Sequence, residues 1–211
     1  MPVICPTVMA NEPHELREQL ERLSGFAKRV HIDLTDGVFA PTRLIDIDKI
    51  WWPEGVKCDL HMMYETVFPF LDTIVSLKPS LVILHAESVG NFYDAARPLQ
   101  EKGIKVGVAL LADTPVEKIE PALKDIDHVL IFSGDLGHFG GHARLALLTK
   151  VTAIRKIRPD IEIGWDGGID LANVSKLVEG GIDVLNVGGY IHNAKNPKSA
   201  YAKLEKEIGA F

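Results

Sequence analysis

A short β-branched run followed by an amphipathic stretch recurs about every 25 residues along this chain, eight times in all. The runs are VICPT (3–7), RVHID (29–33), KCDLH (57–61), LVILH (81–85), KVGVAL (105–110), HVLIF (128–132), IEIGWD (161–166) and VLNVG (184–188). Helix-like stretches follow them at 14–25, 44–51, 67–77, 91–103, 116–124, 146–157, 173–181 and 198–208. Gly25, Gly103 and Gly180 stand where helix C-caps fall, and Pro79 and Pro159 follow helix ends. Strict alternation implies a parallel sheet, because parallel neighbours need a crossover and a helix supplies it. Eight such units predict closure into a (β/α)8 TIM barrel, a single domain over residues 1–211. An open doubly wound sheet is the alternative, but no G-x-G-x-x-G follows the first strand.

Composition then restricts the partners. With 23 Lys and Arg against 29 Asp and Glu, the chain offers no field to steer nucleic acid or anionic lipid. The opening MPVICPTV has no basic segment leading into a long apolar stretch, and runs such as VALLA are too short to span a bilayer. A cytoplasmic location is expected. Cys5 and Cys58 are too few for a disulfide framework and read as reduced core residues. By strand parity Cys5 shares the inward face with Thr7 and Cys58 faces outward, which argues against a bond between them.

The same parity singles out RVHIDLTDG. His31 and Asp33 are two apart, so both point one way, and they sit at the end of a strand that in this fold carries chemistry. His61 closes KCDLH, His85 closes LVILH and Asp166 closes IEIGWD. Two imidazoles and two carboxylates meeting at one mouth suit a divalent Zn, Fe, Mn or Co ion. His85 reads instead as a hydrogen-bonded polar residue, and Asp59 as either an acceptor fixing an imidazole tautomer or a bonded layer residue. Unpaired, the inward His31 and Asp33 would cost several kcal/mol, so they need a partner.

Glycine pairs follow three consecutive late strands: Gly140-Gly141, Gly167-Gly168 and Gly188-Gly189. Glycine lets backbone N–H groups curl around phosphate oxygens, and these barrels hold phosphate after the seventh and eighth strands. A phosphorylated small molecule spanning the mouth is the expected substrate.

The segments VHIDLTDGVFAP, CDLHMM, ILHAE, KVGVALLADTPVE, FGG and WDGGI, in this order, resemble the ribulose-phosphate 3-epimerase family over essentially the whole chain. The resemblance implies a metal-dependent epimerase interconverting D-ribulose 5-phosphate and D-xylulose 5-phosphate. It places metal ligands at His31, Asp33, His61 and Asp166, with Asp33 and Asp166 as the acid/base pair acting through an enediolate. It places substrate and phosphate contacts at Thr7, Gly140, Gly141, Gly167, Gly168 and Gly188; Met63 of CDLHMM and Gly189, which stands where the family has a small Ser, are further candidate contacts. A homo-oligomer is the expected assembly; Trp51 and Trp52 either mark an interface or pack under the loop before the third strand.

The chain departs from the family pattern around the sugar. Thr35 and Phe132 stand where methionines are usual, and Val38 and Thr42 replace a His and an Asn. The loop after the sixth strand carries Leu136, His138 and His142 in place of the usual proline-glycine run ending in Gln, and Tyr190 replaces a small residue. Allulose 6-phosphate is therefore an alternative substrate. A sugar-phosphate binding protein without turnover and a non-heme iron oxygenase are readings from other classes.

Overall fold

In the computed structural model, which describes residues 1–138 and 140–209, eight strands close into a barrel in chain order. They are β1 (Val3–Val8), β2 (Arg29–Thr35), β3 (Lys57–Met63), β4 (Leu81–His85), β5 (Lys105–Leu110), β6 (His128–Phe132), β7 (Glu162–Asp166) and β8 (Val184–Val187). Every neighbouring pair is parallel, and β8 closes on β1 with Cys5 opposite Asn186. Phe139 of the F-G-G run lies outside the described residues.

The outer layer follows from helical periodicity. In α1 (Pro13–Leu23), Leu16, Leu20 and Leu23 form one buried stripe, and Gly25 takes a left-handed turn at φ 82° just beyond the helix. Then come α2 (Leu71–Leu77), α3 (Phe92–Glu101), α4 (Leu148–Ile157), α5 (Val174–Glu179), the single turn α6 (Gly189–His192) and α7 (Pro197–Ile208). Two expected helices are absent as α-helices. The 44–51 stretch holds one 3-10 turn at Ile47–Lys49, and 116–124 holds two, Val116–Lys118 and Glu120–Ala122. Pro121 removes a backbone donor within the second stretch, and its neighbours anchor by burying Val116, Ile119 and Leu123 without a regular helix. At the end of α5 the left-handed residue is Gly181, at φ 94°, one position after the expected Gly180.

Two apolar clusters fill the molecule. The large one lies between strands and helices and includes the outward-facing Cys58. The small one, Leu81, Ile83, Ala109 and Leu130, plugs the barrel interior and comes only from β4, β5 and β6. On the remaining strands the buried polar residues are Thr7, His31, Asp33, Thr35, Asp59, His61, Asp166 and Asn186. Most of the buried polar side chains therefore come from β1, β2, β3, β7 and β8, while β4 and β6 contribute His85 and His128.

The N-terminal end of the barrel is closed by charge. Arg29 Nε donates to Asp59 Oδ2 at 2.7 Å, and its Nη1 and Nη2 donate to Glu162 at 3.1 and 2.9 Å. Asp59 thus serves the arginine and acts as a bonded layer residue. Burial alone would raise the Glu162 carboxyl, but His128 and Arg29 against it hold it well below the carboxylate range. His128 fits because β7 offers no side chain at Gly164, where a Cβ would lie 2.6 Å from the imidazole. Cys5 and Cys58 are buried free thiols, each raised by that burial. Trp51 is 40% exposed, whereas Trp52 packs against the outer core. Among the described residues no helix is long and apolar enough to cross a membrane.

Candidate metal and sugar-phosphate site

The C-terminal ends of β2, β3 and β7 bring His31, Asp33, His61 and Asp166 together, all buried, with one ligand atom of each within 4.8 Å of the others. Register explains the meeting: Asp33 lies directly opposite His61 across the β2–β3 pair. His31 Nε2 lies 3.2 Å from Asp33 Oδ1 and 3.8 Å from Asp166 Oδ2. His61 Nδ1 lies 2.8 Å from Asp33 Oδ1 and 3.9 Å from Asp166 Oδ2.

These spacings suit a shared cation. Ligands about 2.1 Å from one ion stand roughly 3.0–3.5 Å apart at tetrahedral or octahedral angles. Neither ring nitrogen of His31 has a hydrogen-bond partner among the described residues, although the side chain is fully buried. Burying an imidazole unsatisfied is costly, and a metal ion would satisfy it. The four residues could hold a divalent ion.

The site's own charges push its two carboxyls apart. Burial would raise Asp33, but the imidazoles of His31 and His61 hold it well below the usual range. Burial and the neighbouring charge of Asp33 push Asp166 well above its ordinary value. The His61 imidazole is lowered to about 4, chiefly by burial. His31 is raised, because nearby Asp33 outweighs the burial that would lower it.

Behind the tetrad lies a second tier. His61 Nε2 meets His85 Nε2 at 2.8 Å, and His85 Nδ1 meets Glu87 Oε2 at 3.2 Å. The other Glu87 oxygen accepts from Leu111 N at 3.1 Å. Burial would raise Glu87, but His85 and hydrogen bonds from Thr114 and the Leu111 amide bring it down to about 2. His85 is thus a bonded residue outside the ligand cluster, as its sequence position suggested.

In front of the tetrad opens a cavity of about 670 Å³. Asp33 and Asp166 lie at its floor with Thr7 and Met63, and the expected glycines Gly140, Gly141, Gly167, Gly168, Gly188 and Gly189 all line it. Gly168 shows why glycine is needed: at φ 72°, a Cβ there would stand 2.2 Å from the backbone nitrogen of Ala143. Phe132, His138 and Tyr190 also line the cavity, so three of the family departures reach the substrate space.

Other departures serve the frame. The Thr35 hydroxyl donates to Thr42 O and accepts from Leu44 N, while the Thr42 hydroxyl donates to Gly137 O at 3.0 Å, tying the β2 loop to the β6 loop. Val38 is exposed, and His142 contributes its carbonyl to Ser133 Oγ. Sequence reading missed Glu87, Asn186 and the loop anchor Asp36. Asp36 accepts from Val38 N, Phe39 N and Glu65 N. Asn186 lines the cavity beside Asp166 in the β7–β8 register. Parity alone could have flagged Asn186, as the one polar residue within VLNV, and Glu87, two beyond His85.

The chain matches the model of the ribulose-phosphate 3 epimerase family over residues 3–192. It is 28% identical to the ribulose-phosphate 3-epimerase of Mycobacterium tuberculosis, covering 99% of this chain and 94% of that protein. It is 27% identical to the enzyme of that name from Helicobacter pylori, covering 96% of each. Among solved structures, 3-hexulose-6-phosphate synthase from Salmonella typhimurium superposes with a TM-score of 0.71 at 14% identity, covering 99% of both chains. KGPDC from Streptococcus mutans superposes with a TM-score of 0.74 at 12% identity, covering 99% of this chain and 98% of that one. Both likenesses are of fold.

Proposed function

This chain belongs to the ribulose-phosphate 3-epimerase family and is an epimerase, and we propose that it inverts C3 of D-ribulose 5-phosphate to give D-xylulose 5-phosphate. One observation carries the reading: two carboxyls and two imidazoles converge, and the two carboxyls line a cavity that glycine turns also line. That arrangement suits a ligand with a reactive ketone at one end and a phosphate at the other.

Inversion next to a ketone requires taking a proton from one face of C3 and returning one to the other. Asp33 arrives from β2 and Asp166 from β7, two strands well separated around the barrel. One aspartate would serve as base and the other as acid, and because both would border one ion their protons titrate as a pair. The roles exchange when the reaction runs in reverse. His31 and His61, with the two aspartates, would hold a divalent ion such as Zn, Fe, Mn or Co. Such an ion supplies Lewis-acid stabilisation of the negative charge that develops beside the ketone. The backbone N–H groups of the glycine turns would hold the phosphate, while Thr7 and Met63 would border the sugar.

Proton NMR in heavy water tests this directly. Ribulose 5-phosphate should lose its C3 proton signal to solvent exchange, a chelator should abolish the loss, and a divalent ion should restore it. Exchange with allulose 6-phosphate alone would overturn the substrate assignment, and exchange with neither sugar would overturn catalysis. A second variant probes the phosphate wall. Gly168→Ala should raise KM at least about 10-fold, because its methyl group displaces the Ala143 backbone, with metal content unchanged. An unaltered KM would remove Gly168 from the cradle.

A further inference from the structure

We propose that Glu87, acting through His85, fixes the tautomer of His61 that leaves its Nδ1 lone pair facing the metal ion. Glu87 and His85 are then positioning residues of the active site. The proposal rests on the metal reading above and extends it to residues that touch neither ion nor substrate.

Counting protons along the chain of contacts leads to this assignment. Asp33 Oδ1, the two nitrogens of His61, the two of His85 and Glu87 Oε2 form three successive contacts of 2.8, 2.8 and 3.2 Å. Both ends are carboxylates, which only accept when ionised. Two neutral imidazoles bring two protons, so one of the three contacts lacks one. With a cation in the tetrad the Asp33 contact is the one that needs no proton, so His85 Nδ1 donates to Glu87, whose other oxygen accepts Leu111 N–H. The His85 Nε2 lone pair then faces His61, whose Nε2 must carry the second proton. His61 Nδ1 is left bare, 2.8 Å from a bare Asp33 oxygen. Two acceptors that close need a positive charge between them, and the tetrad is built around that spot.

Water cannot easily replace the relay. His85 is 3% exposed, with the Phe39 and Phe132 rings at 4.6 and 6.0 Å from its centroid. Without Glu87, nothing would stop His85 from moving its proton to Nε2. His61 would then accept there and point Nδ1–H at the ion, blocking its ligand position.

Two measurements test the relay. In the zinc-loaded protein labelled with nitrogen-15 histidine, long-range proton–nitrogen correlations should show His61 protonated at Nε2 and His85 at Nδ1. Competition with a chromophoric chelator should show Glu87→Gln weakening zinc binding about 10- to 100-fold. The Leu111 amide keeps the glutamine oxygen, so its NH2 turns to His85 and reverses the relay. In a His85→Gln background, whose side-chain oxygen can accept from His61 by itself, adding Glu87→Gln should change zinc affinity less than about twofold. A zinc-loaded His61 protonated at Nδ1, or an equal loss from Glu87→Gln in both backgrounds, overturns the relay while leaving the metal site standing. Failure of the wild-type tetrad to bind zinc overturns both.

Discussion

Asp33→Asn and Asp166→Asn should each lower C3 proton exchange by about a thousandfold or more, even at saturating divalent ion, with KM changed far less than kcat. A carboxamide keeps the volume and can still offer an oxygen ligand, but it can neither take a proton from carbon nor return one. Placed acid and base groups contribute on the order of 10²–10⁴ each. In the proposed mechanism the two aspartates divide one reaction between them, so losing either stops turnover. Their effects should therefore be strongly non-additive, with the double variant no worse than the poorer single one. Saturating metal separates loss of proton transfer from loss of the ion, since Asp33 touches both imidazoles and its removal loosens the whole centre. If either variant retained a tenth of wild-type exchange under those conditions, the two-carboxylate mechanism would be wrong.

The largest stability effect is expected at the opposite end of the barrel. Arg29→Ala should destabilise the fold by about 3–5 kcal/mol, the usual cost of removing one partner from a buried ion pair. Asp59 is 1% exposed, Arg29 is its only ion-pair partner among the described residues, and its Oδ1 already lacks a hydrogen bond. Without the guanidinium that carboxylate is left buried and uncompensated. For a chain of this length the loss corresponds to a melting point lower by roughly 6–20 °C. Urea unfolding measures it, and a loss under about 1 kcal/mol would show that the cluster is solvated instead. Pairing Arg29→Met with Asp59→Asn should recover part of the loss, because the stranded charge is gone.

The pH dependence of that stability has a definite sign. Glu162 has a folded pKa held below its unfolded value near 4.5. It therefore contributes stability that is present above the unfolded pKa and is lost as pH falls through the folded one. Arg29→Ala should flatten this acid limb, since Arg29 supplies two of the hydrogen bonds that depress Glu162.

Much of the site could be read in advance because strands translate spacing into direction. His31 and Asp33 are two apart, so they share a face wherever the strand lies, and the same parity places Asp59 with His61 inside and Cys58 outside. Alternation of strand and helix likewise dictated a parallel sheet. Where local chemistry was weak, as in residues 44–51 and 116–124, an amphipathic pattern suggested helices that the chain does not form. There a buried 3-10 turn satisfies the same apolar residues, and burial, not periodicity, selects the backbone.

The glycine turns and the four candidate ligands were visible in the sequence as residue types at one barrel mouth, but their distances and hydrogen-bond partners were not. Asp59 shows the difference: as a carboxylate beside His61 it had two possible partners, and only the closed barrel set Arg29, from the neighbouring strand, 2.7 Å away. Thr35 and Thr42 looked like changes in the sugar wall, and folding turned both into ties between loops. His85 and Glu87 looked like an ordinary strand end until β3 and β4 were laid side by side and imidazole met imidazole. The sequence by itself determined which side chains face inward, because that depends only on neighbours along the chain. The tertiary structure alone decided which inward groups touch, because strand stagger and closure bring together residues more than a hundred positions apart.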